Sequence, residues 1–543
     1  MRRLLSLIIL ITALFPLPVM ADALPASVDK QVPVLLINDV YRLDNLPGVR
    51  VLRQQLEEQY GDVLLLHAGD FLFPSLLSRK YRGEQMIDVL NQLDGDPDAD
   101  DPLMFIAIGN HEFEKHRLKF AAMVKSRMDE SQFDWVSSNI SYKKDESGKP
   151  MVYSSHLVPS KLIEVNGIQV GIFGLTIDSK HPAYVESFSD PVMTARHMSE
   201  HLRRQGADIV IALTHLTMDQ DKQILQQLGD EGPDIIFGGH EHNQQTAEVN
   251  GRLVIKADAD ALTAAVTLVR PGKGVPPMVE NRFEQIPGKY QGDPQMAARV
   301  AAWQQRFEHE FCQQRELAAE CLGEIVGHSR VELIAEELVI RRFETNIGNW
   351  IADIALQHFR EKGAQISFIN AGSLRINHNL AKGEAITRKH MNELFAYPNH
   401  MVVIKIKGSV LQQILNRAVR EWTGNGHWLQ IAGFAFRHDP QSETADQLTL
   451  LTADGPRTVD PQEEILAVTN FYLIDHKGDR DGYTMLHRDL IIDKSAERPK
   501  LRDIVIGALQ AAAEGGIDPQ VDGRICNTQQ EGFCLAIDGA KTP

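Results

Sequence analysis

Short, almost wholly apolar runs punctuate the first half of the chain: Val32–Ile37, Val63–Leu66, Met104–Ile108, Gln169–Phe173, Ile209–Leu213 and Ile235–Phe237. Between them lie longer stretches with a helical apolar rhythm. Aliphatic runs of strand length alternating with helices predict an α/β domain built on a buried sheet. Residues 290–320 contain few helix breakers and repeat apolar positions at helical spacing, which predicts a connecting helix. After Gly323 a second mixed region begins, with strand-like Gln365–Ile369 and Met401–Ile406 and helix-like Asn349–His358. No internal repeat or long low-complexity tract interrupts this plan.

Five of the runs end in residues able to hold a metal. Leu35-Leu36-Ile37 leads to Asn38-Asp39, and Leu64-Leu65-Leu66 to His67-Ala68-Gly69-Asp70. Ile106-Ala107-Ile108 leads to Gly109-Asn110-His111-Glu112, Ile211-Ala212-Leu213 to Thr214-His215, and Ile235-Ile236-Phe237 to Gly238-Gly239-His240-Glu241-His242. In open α/β folds, ligands collect outside the carboxyl ends of the strands. Convergence of five such ends would set two carboxylates, an amide and three imidazoles around one cavity. That mixture of oxygen and nitrogen donors suits Mn, Zn, Co or Fe. Taken singly, each residue has an ordinary explanation, an Asp as a turn or cap and a His as a packed polar residue. The ordered set, most of it flanked by glycine, is what points to a metal centre.

In this order the motifs resemble the calcineurin-like metallophosphoesterases. The second half narrows the resemblance to the 5′-nucleotidase and 2′,3′-cyclic phosphodiesterase family, through Arg341-Arg342-Phe343-Glu344-Thr345-Asn346-Ile347-Gly348-Asn349, Asn370-Ala371-Gly372-Ser373-Leu374-Arg375 and Asp481-Gly482-Tyr483. It implies a four-layer αββα sandwich over residues 30–285, a linker helix over 286–322, and a smaller α/β substrate-binding domain over 323–540 that swings relative to the first. It also implies two divalent metal ions. Asp39 and His242 would hold the first, Asn110, His215 and His240 the second, and Asp70 both. His111 matches the family's catalytic histidine and Glu114 the acid that orients it. Arg341, Asn370 and Arg375 would contact phosphate, ribose or base, Tyr397 and Phe471 would stack on the base, and Asp481 would accept from ribose hydroxyls.

Two departures bear on the chemistry. The family's first motif is usually Asp-x-His, whereas here Asp39-Val40-Tyr41 ends in a phenol, a poorer ligand than imidazole unless a harder ion stabilises its phenolate. Glu114 replaces the family's Asp and adds a methylene. In the second domain, the stretch from Phe471 to Asp481 is longer than usual, which leaves Tyr472 and Asp479 as alternatives to Phe471 and Asp481. The implied activity is hydrolysis of nucleotides by metal-activated water: release of phosphate from nucleoside 5′-monophosphates, with 2′,3′-cyclic nucleotides and UDP-sugars as further substrates. The rivals are a related dimetal sulfur-ester hydrolase and a nucleotide-binding protein without turnover.

Composition changes this picture in three places. Residues 1–21 carry Arg2 and Arg3, an apolar run from Leu4 to Phe15, and small or neutral residues before Ala21. They read as a cleaved signal peptide for export to the periplasm rather than a membrane anchor, because the run is too short to span a bilayer. Four cysteines in an exported chain favour two local disulfides, Cys312 with Cys321 and Cys526 with Cys534, over a zinc site. The net charge of −17 argues against a polymeric nucleic acid as partner but not against one small anion held in a cationic pocket.

Overall fold

The computed structural model describes residues 30–272, 274–421, 426–475, 480–493, 497–512, 515–528 and 534–538. The proposed signal peptide and Asp479 lie outside the described residues. Among the described residues, no helix is long and apolar enough to cross a membrane.

Five strands carry the candidate metal residues: β1 (Val32–Ile37), β2 (Leu64–His67), β3 (Met104–Ala107), β4 (Ile209–His215) and β5 (Ile235–Gly238). β1, β2 and β3 lie side by side and parallel in a seven-stranded sheet. β4 and β5 are parallel neighbours in a six-stranded sheet. Side chains alternate across each strand, so Val34, Leu36, Leu64 and Leu66 face the second sheet and pack with Ile211, Leu213, Ile235 and Phe237. Leu35, Ile37 and Leu65 face the other way, onto Leu52 and Leu56 of the helix Leu46–Tyr60. Val210, Ala212 and Ile236 meet Leu202, Ile224 and Leu225 of the helices beyond the second sheet. The order is therefore helix, sheet, sheet, helix. Each strand is buried on both faces, which is why it reads as an unbroken aliphatic run.

The connecting helix runs over Pro294–Gln313, shorter than the apolar rhythm suggested. Asp293 caps it by accepting from Met296 N–H at 2.8 Å, and Pro294 opens it where a missing N–H costs nothing. Trp303 Nε1 and Arg299 both donate to Asp88, fastening the helix to the first domain. Beyond it, Met401–Lys407, Glu464–Asn470, Ile366–Asn370 and Leu429–Ala432 form a four-stranded sheet against the helices Asn346–His358 and Gly408–Val419.

Cys312 is bonded to Cys321 and Cys526 to Cys534, the two local pairings that the spacing favours. Replacing Cys312 and Cys321 together by serine is expected to cost about 2–3 kcal/mol, the loop-closure entropy of a ring of roughly ten residues. The measurement is a denaturant titration in which the midpoint falls.

Candidate metal centre

The strand ends converge. Asp39, Asp70 and His215 present donor atoms within 4.8 Å of one another, all fully buried. Asp70 Oδ2 lies 3.1 Å from His215 Nε2, and Asn110 Oδ1 lies 3.2 Å from the same nitrogen. His215 Nδ1 donates to the Ala68 carbonyl at 2.7 Å, which leaves Nε2 as the nitrogen facing the cluster. His242 Nε2 is 3.4 Å from Asp39 Oδ1. The His240 ring stands edge-on to His215 with centroids 5.2 Å apart. Tyr41 also enters the group, its hydroxyl 3.0 Å from His242 Nε2.

The backbone is bent to achieve this. Asp39, Asp70, His240 and His242 all have positive φ, between 53° and 87°, a conformation that non-glycine residues hold only where the surroundings enforce it. Two glycines permit the close approach. A Cβ on Gly109 would lie 2.1 Å from Asp70 Oδ1, and one on Gly239 would lie 2.7 Å from the Ala68 carbonyl oxygen.

His111 sits beside the cluster. Its backbone N–H donates to Asp70 Oδ1 at 2.6 Å, and its Nδ1 meets Glu114 Oε1 at 2.6 Å. The longer acid at 114 thus reaches the histidine. Burial alone would raise the Glu114 carboxyl, but its hydrogen bond to His111 and the charges of His111 and Lys180 hold it well below the usual range.

From the second domain, Glu337 joins Arg341 and Arg375 through one oxygen, Oε1, with Arg375 Nη1 at 3.5 Å. Glu337 and Arg375 line a cavity of about 40 Å³ with Tyr41 and Asp260, and the Tyr41 hydroxyl in turn contacts Asp70 and His242, which sets these second-domain residues beside the metal centre. Asn370 Nδ2 donates to Asp481 Oδ2 at 3.1 Å, and Asn470 Nδ2 donates to Asn370 Oδ1 at 2.6 Å. The two aromatics have different neighbours. Tyr397 is 43% exposed, with the guanidinium groups of Arg375 and Arg79 5.8 and 5.9 Å from its ring. Phe471 lies under Arg498 at 3.8 Å and Arg488 at 5.3 Å. No ring contact joins Tyr397 to Phe471 among the described residues. Tyr472 donates to Asp481 Oδ1 at 3.3 Å.

Residues 32–244 match the calcineurin-like phosphoesterase family, and residues 325–488 match the 5′-nucleotidase C-terminal domain. The chain is a calcineurin-like phosphoesterase with a 5′-nucleotidase C-terminal domain. It is 23% identical to the human 5′-nucleotidase over 520 residues, covering 87% of this chain and 83% of that one. An apyrase of Anopheles gambiae is 24% identical over 464 residues, covering 80% and 77%. A solved 5′-nucleotidase precursor from Thermus thermophilus superposes with a TM-score of 0.73 at 21% identity, over 92% of this chain and 100% of that one. The sulfate thiohydrolase of the same organism shares the fold at a TM-score of 0.67 and 16% identity, over 90% and 83%. The chain is accordingly a metal-dependent phosphoester hydrolase.

The phosphoesterase cluster fits the ions its family implies. Burial alone would raise Asp39 and lower His242 and His215. Instead, the mutual attraction of carboxylates and imidazoles takes Asp39 down to about 2, His242 up to about 10 and His215 up to about 9. Two buried carboxylates demand positive charge, and metal ions would supply it while leaving both imidazoles neutral and free to ligate. His242 turns Nε2 towards the Tyr41 hydroxyl and Asp39, and its Nδ1 is a buried nitrogen with no hydrogen-bond partner.

Sequence reasoning missed the residues that hold the phosphoesterase centre in place. Glu112, fully buried, accepts from the backbone N–H groups of Asp70, Phe71, Leu72 and Gly109 at 2.7–3.0 Å and so fixes two of the loops. Lys256 donates to the carbonyls of Leu216 and Gly239 and to Glu241 at 2.6–2.9 Å, tying the ends of β4 and β5. Lys180 Nζ contacts Glu114 Oε1 at 2.8 Å. Glu112 stands inside a quoted motif, whereas the lysines carry no local signal.

Glu337 was missed as well, and it has a pH signature. Burial would raise it, but Arg341 and then Arg375 pull its carboxyl down to about 2. A depressed folded value means that the unfolded chain binds the proton first as pH falls. Its stabilisation is therefore complete above the ordinary carboxylate value of about 4.5 and disappears towards pH 2. In Glu337→Gln, the decline of stability between those limits is expected to be shallower, as read from denaturant midpoints across acid pH.

Proposed function

We propose that this phosphoesterase is an exported dimetal nucleotidase that releases phosphate from nucleoside 5′-monophosphates, with 2′,3′-cyclic nucleotides and UDP-sugars as further substrates. The observation that carries the reading is that Glu337 and Arg375 of the second domain, with Arg341 paired to Glu337, line one small cavity with Tyr41, whose hydroxyl contacts Asp70 and His242 of the first domain. A phosphatase without substrate specificity has no need of such a second face, because specificity comes from gripping the part of the substrate that does not react. Relatives named 5′-nucleotidase and apyrase support the same substrate class.

Asp39 and His242 would hold one ion, Asn110, His215 and His240 the other, and Asp70 both. Bound there, the ions would supply Lewis acidity towards phosphate oxygens and would lower the pKa of water. His111, oriented by Glu114, donates a hydrogen bond or proton to the oxygen on which charge builds. Arg341 and Arg375 bind anionic oxygens in the bidentate manner open to guanidinium groups. Asn370 and Asp481 offer a joined polar pair for ribose hydroxyls, and Tyr397 and Phe471 offer faces for a planar base. Export is supported by the two disulfides.

The test is turnover of AMP, UMP, a UDP-sugar and 2′,3′-cyclic AMP with added Mn, Zn or Co. Phosphate release from AMP or UMP is expected. Saturable nucleotide binding without hydrolysis under every metal would overturn the enzymatic reading, and hydrolysis confined to sulfur-linked substrates would overturn the nucleotide reading.

A further inference from the structure

Lys180 stands on the loop that follows the strand Ile168–Thr176, and both ends of that loop are tied to the site. The Ile177 N–H donates to the His215 carbonyl at 2.9 Å, and the Ala183 N–H donates to the His116 carbonyl, two residues beyond Glu114, at 2.8 Å. Between these anchors, Lys180 Nζ lies 2.8 Å from Glu114 Oε1 and 3.2 Å from His111 Nδ1. The side chains of Lys180, Glu114 and His111 are only 21%, 17% and 12% exposed. This is not one of the solvated surface pairs that contribute little.

The geometry tells which group the lysine serves. His111 Nδ1 lies 2.6 Å from Glu114 Oε1, a close, charge-assisted donation to a carboxylate. A nitrogen that donates there has no lone pair left for Lys180, and an ammonium is itself only a donor. The 3.2 Å approach is therefore one donor beside another, and Glu114 Oε1 is the acceptor they share. Glu114 needs the second hold. Its N–H closes a turn onto the His111 carbonyl at 3.2 Å, so the two backbones are fixed and the freedom left is in the side chain. Compared with aspartate, glutamate has one more sp³ torsion, with three staggered wells. Lys180 selects the arrangement that keeps Oε1 on His111.

We propose that Lys180 is a positioning residue for phosphoester hydrolysis, holding the Glu114 carboxylate on His111 so that the imidazole stays aimed at the reacting oxygen. The inference rests on the reading of His111 and Glu114 as the acid–base pair of the proposed function. The lysine and the longer acid form one unit, in which the ion pair restores the orientation that the extra methylene gives away. In this role Lys180 touches no reacting atom, and its loss is felt only through Glu114.

The test is steady-state hydrolysis of AMP by the Mn-loaded protein in wild type, Lys180→Met, Lys180→Arg, Glu114→Gln and the double variant Lys180→Met/Glu114→Gln, together with a crystal structure of Lys180→Met. Lys180→Met is expected to lower kcat about tenfold, between the roughly threefold dilution among torsional wells and the about 10²-fold that a misplacement of ~1 Å can cost. KM and metal content are expected to stay within about twofold of wild type, since neither substrate nor ion is bound by the lysine. Lys180→Arg keeps a charged donor and is expected to recover most of the loss. In the Glu114→Gln background, removing the lysine is expected to cost less than about twofold, because the carboxylate it holds is gone. In the crystal, the Glu114 carboxylate of Lys180→Met is expected to have turned away from His111 Nδ1. A kcat within about twofold of wild type in Lys180→Met, an equal loss in both backgrounds, or a Glu114 carboxylate still seated on His111 overturns the positioning role. A raised KM with kcat unchanged overturns it too and makes Lys180 a substrate contact. Wild type that hydrolyses no phosphoester under any metal overturns the acid–base reading beneath it, and the crystal structure then decides alone whether Lys180 holds Glu114.

Discussion

Asp70→Asn is expected to remove bound metal and to lower kcat/KM on the order of 10³-fold or more. Loss of a single electrostatic donor to a charged transition state already costs about 10²–10³-fold, and Asp70 is the residue proposed to hold both ions. Its carboxylate is fully buried, with Oδ1 accepting from His111 N–H and Oδ2 facing His215 and the Tyr41 hydroxyl. Asparagine has nearly the same shape but a neutral group, one end of which is itself a donor. One end would then oppose the His111 N–H or compete with His215, and the negative charge that draws the cations would be halved. Metal content after dialysis and kcat/KM with saturating Mn are the two readings. A variant that kept its metal and stayed within tenfold of wild type would exclude Asp70 from the centre. Thermal stability separates this outcome from unfolding. Removing one partner of the buried pair with His215 costs the metal-free protein stability, so the melting temperature of the stripped variant is expected to fall, and the readings are taken where the variant is still cooperatively folded.

The strands that carry the site were legible because parallel strands buried on both faces leave uninterrupted aliphatic runs. Val32–Ile37 is a strand over the same residues, and the strand Ile209–His215 extends the aliphatic run to include His215 itself. The motif glycines were legible too, and Gly109 and Gly239 prove to be places where a Cβ would collide with Asp70 or Ala68. The supporting charges were not. Lys180 is 66 residues from Glu114, and Lys256 is 40 residues from the Leu216 carbonyl it binds, so only folding creates their roles. Glu337 stands at i,i+4 from Arg341, a spacing visible in any helix, but its burial against a second arginine at 375 is a tertiary fact. Residue type also fails to separate Tyr397 from Phe471, since both are simply aromatic. Their neighbours distinguish them, Arg79 and Arg375 for the first and Arg498 and Arg488 for the second.

His111→Ala probes the chemistry without dismantling the centre. The contact from His111 to Asp70 is made by its backbone N–H, which alanine keeps. What is lost is the imidazole, with its pairing to Glu114, the Lys180 contact at Nδ1 (3.2 Å) and the longer approach of Nε2 to Asp70 Oδ2 (3.9 Å). Metal content is therefore expected to stay at the wild-type level while kcat for AMP falls by about 10²–10⁴-fold, the usual contribution of a positioned acid or base. The leaving group decides which oxygen the histidine serves. Ribose 5′-oxygen is a poor leaving group and gains most from a donated proton, whereas p-nitrophenolate leaves readily without one. If His111 acts on the leaving oxygen, the variant loses much less activity towards p-nitrophenyl phosphate than towards AMP. Equal losses on both substrates place its hydrogen bond on the phosphoryl oxygens, where charge builds whatever the leaving group. A kcat for AMP unchanged within about threefold, with metal retained, would remove His111 from catalysis altogether, since it lies below any acid–base contribution of this kind.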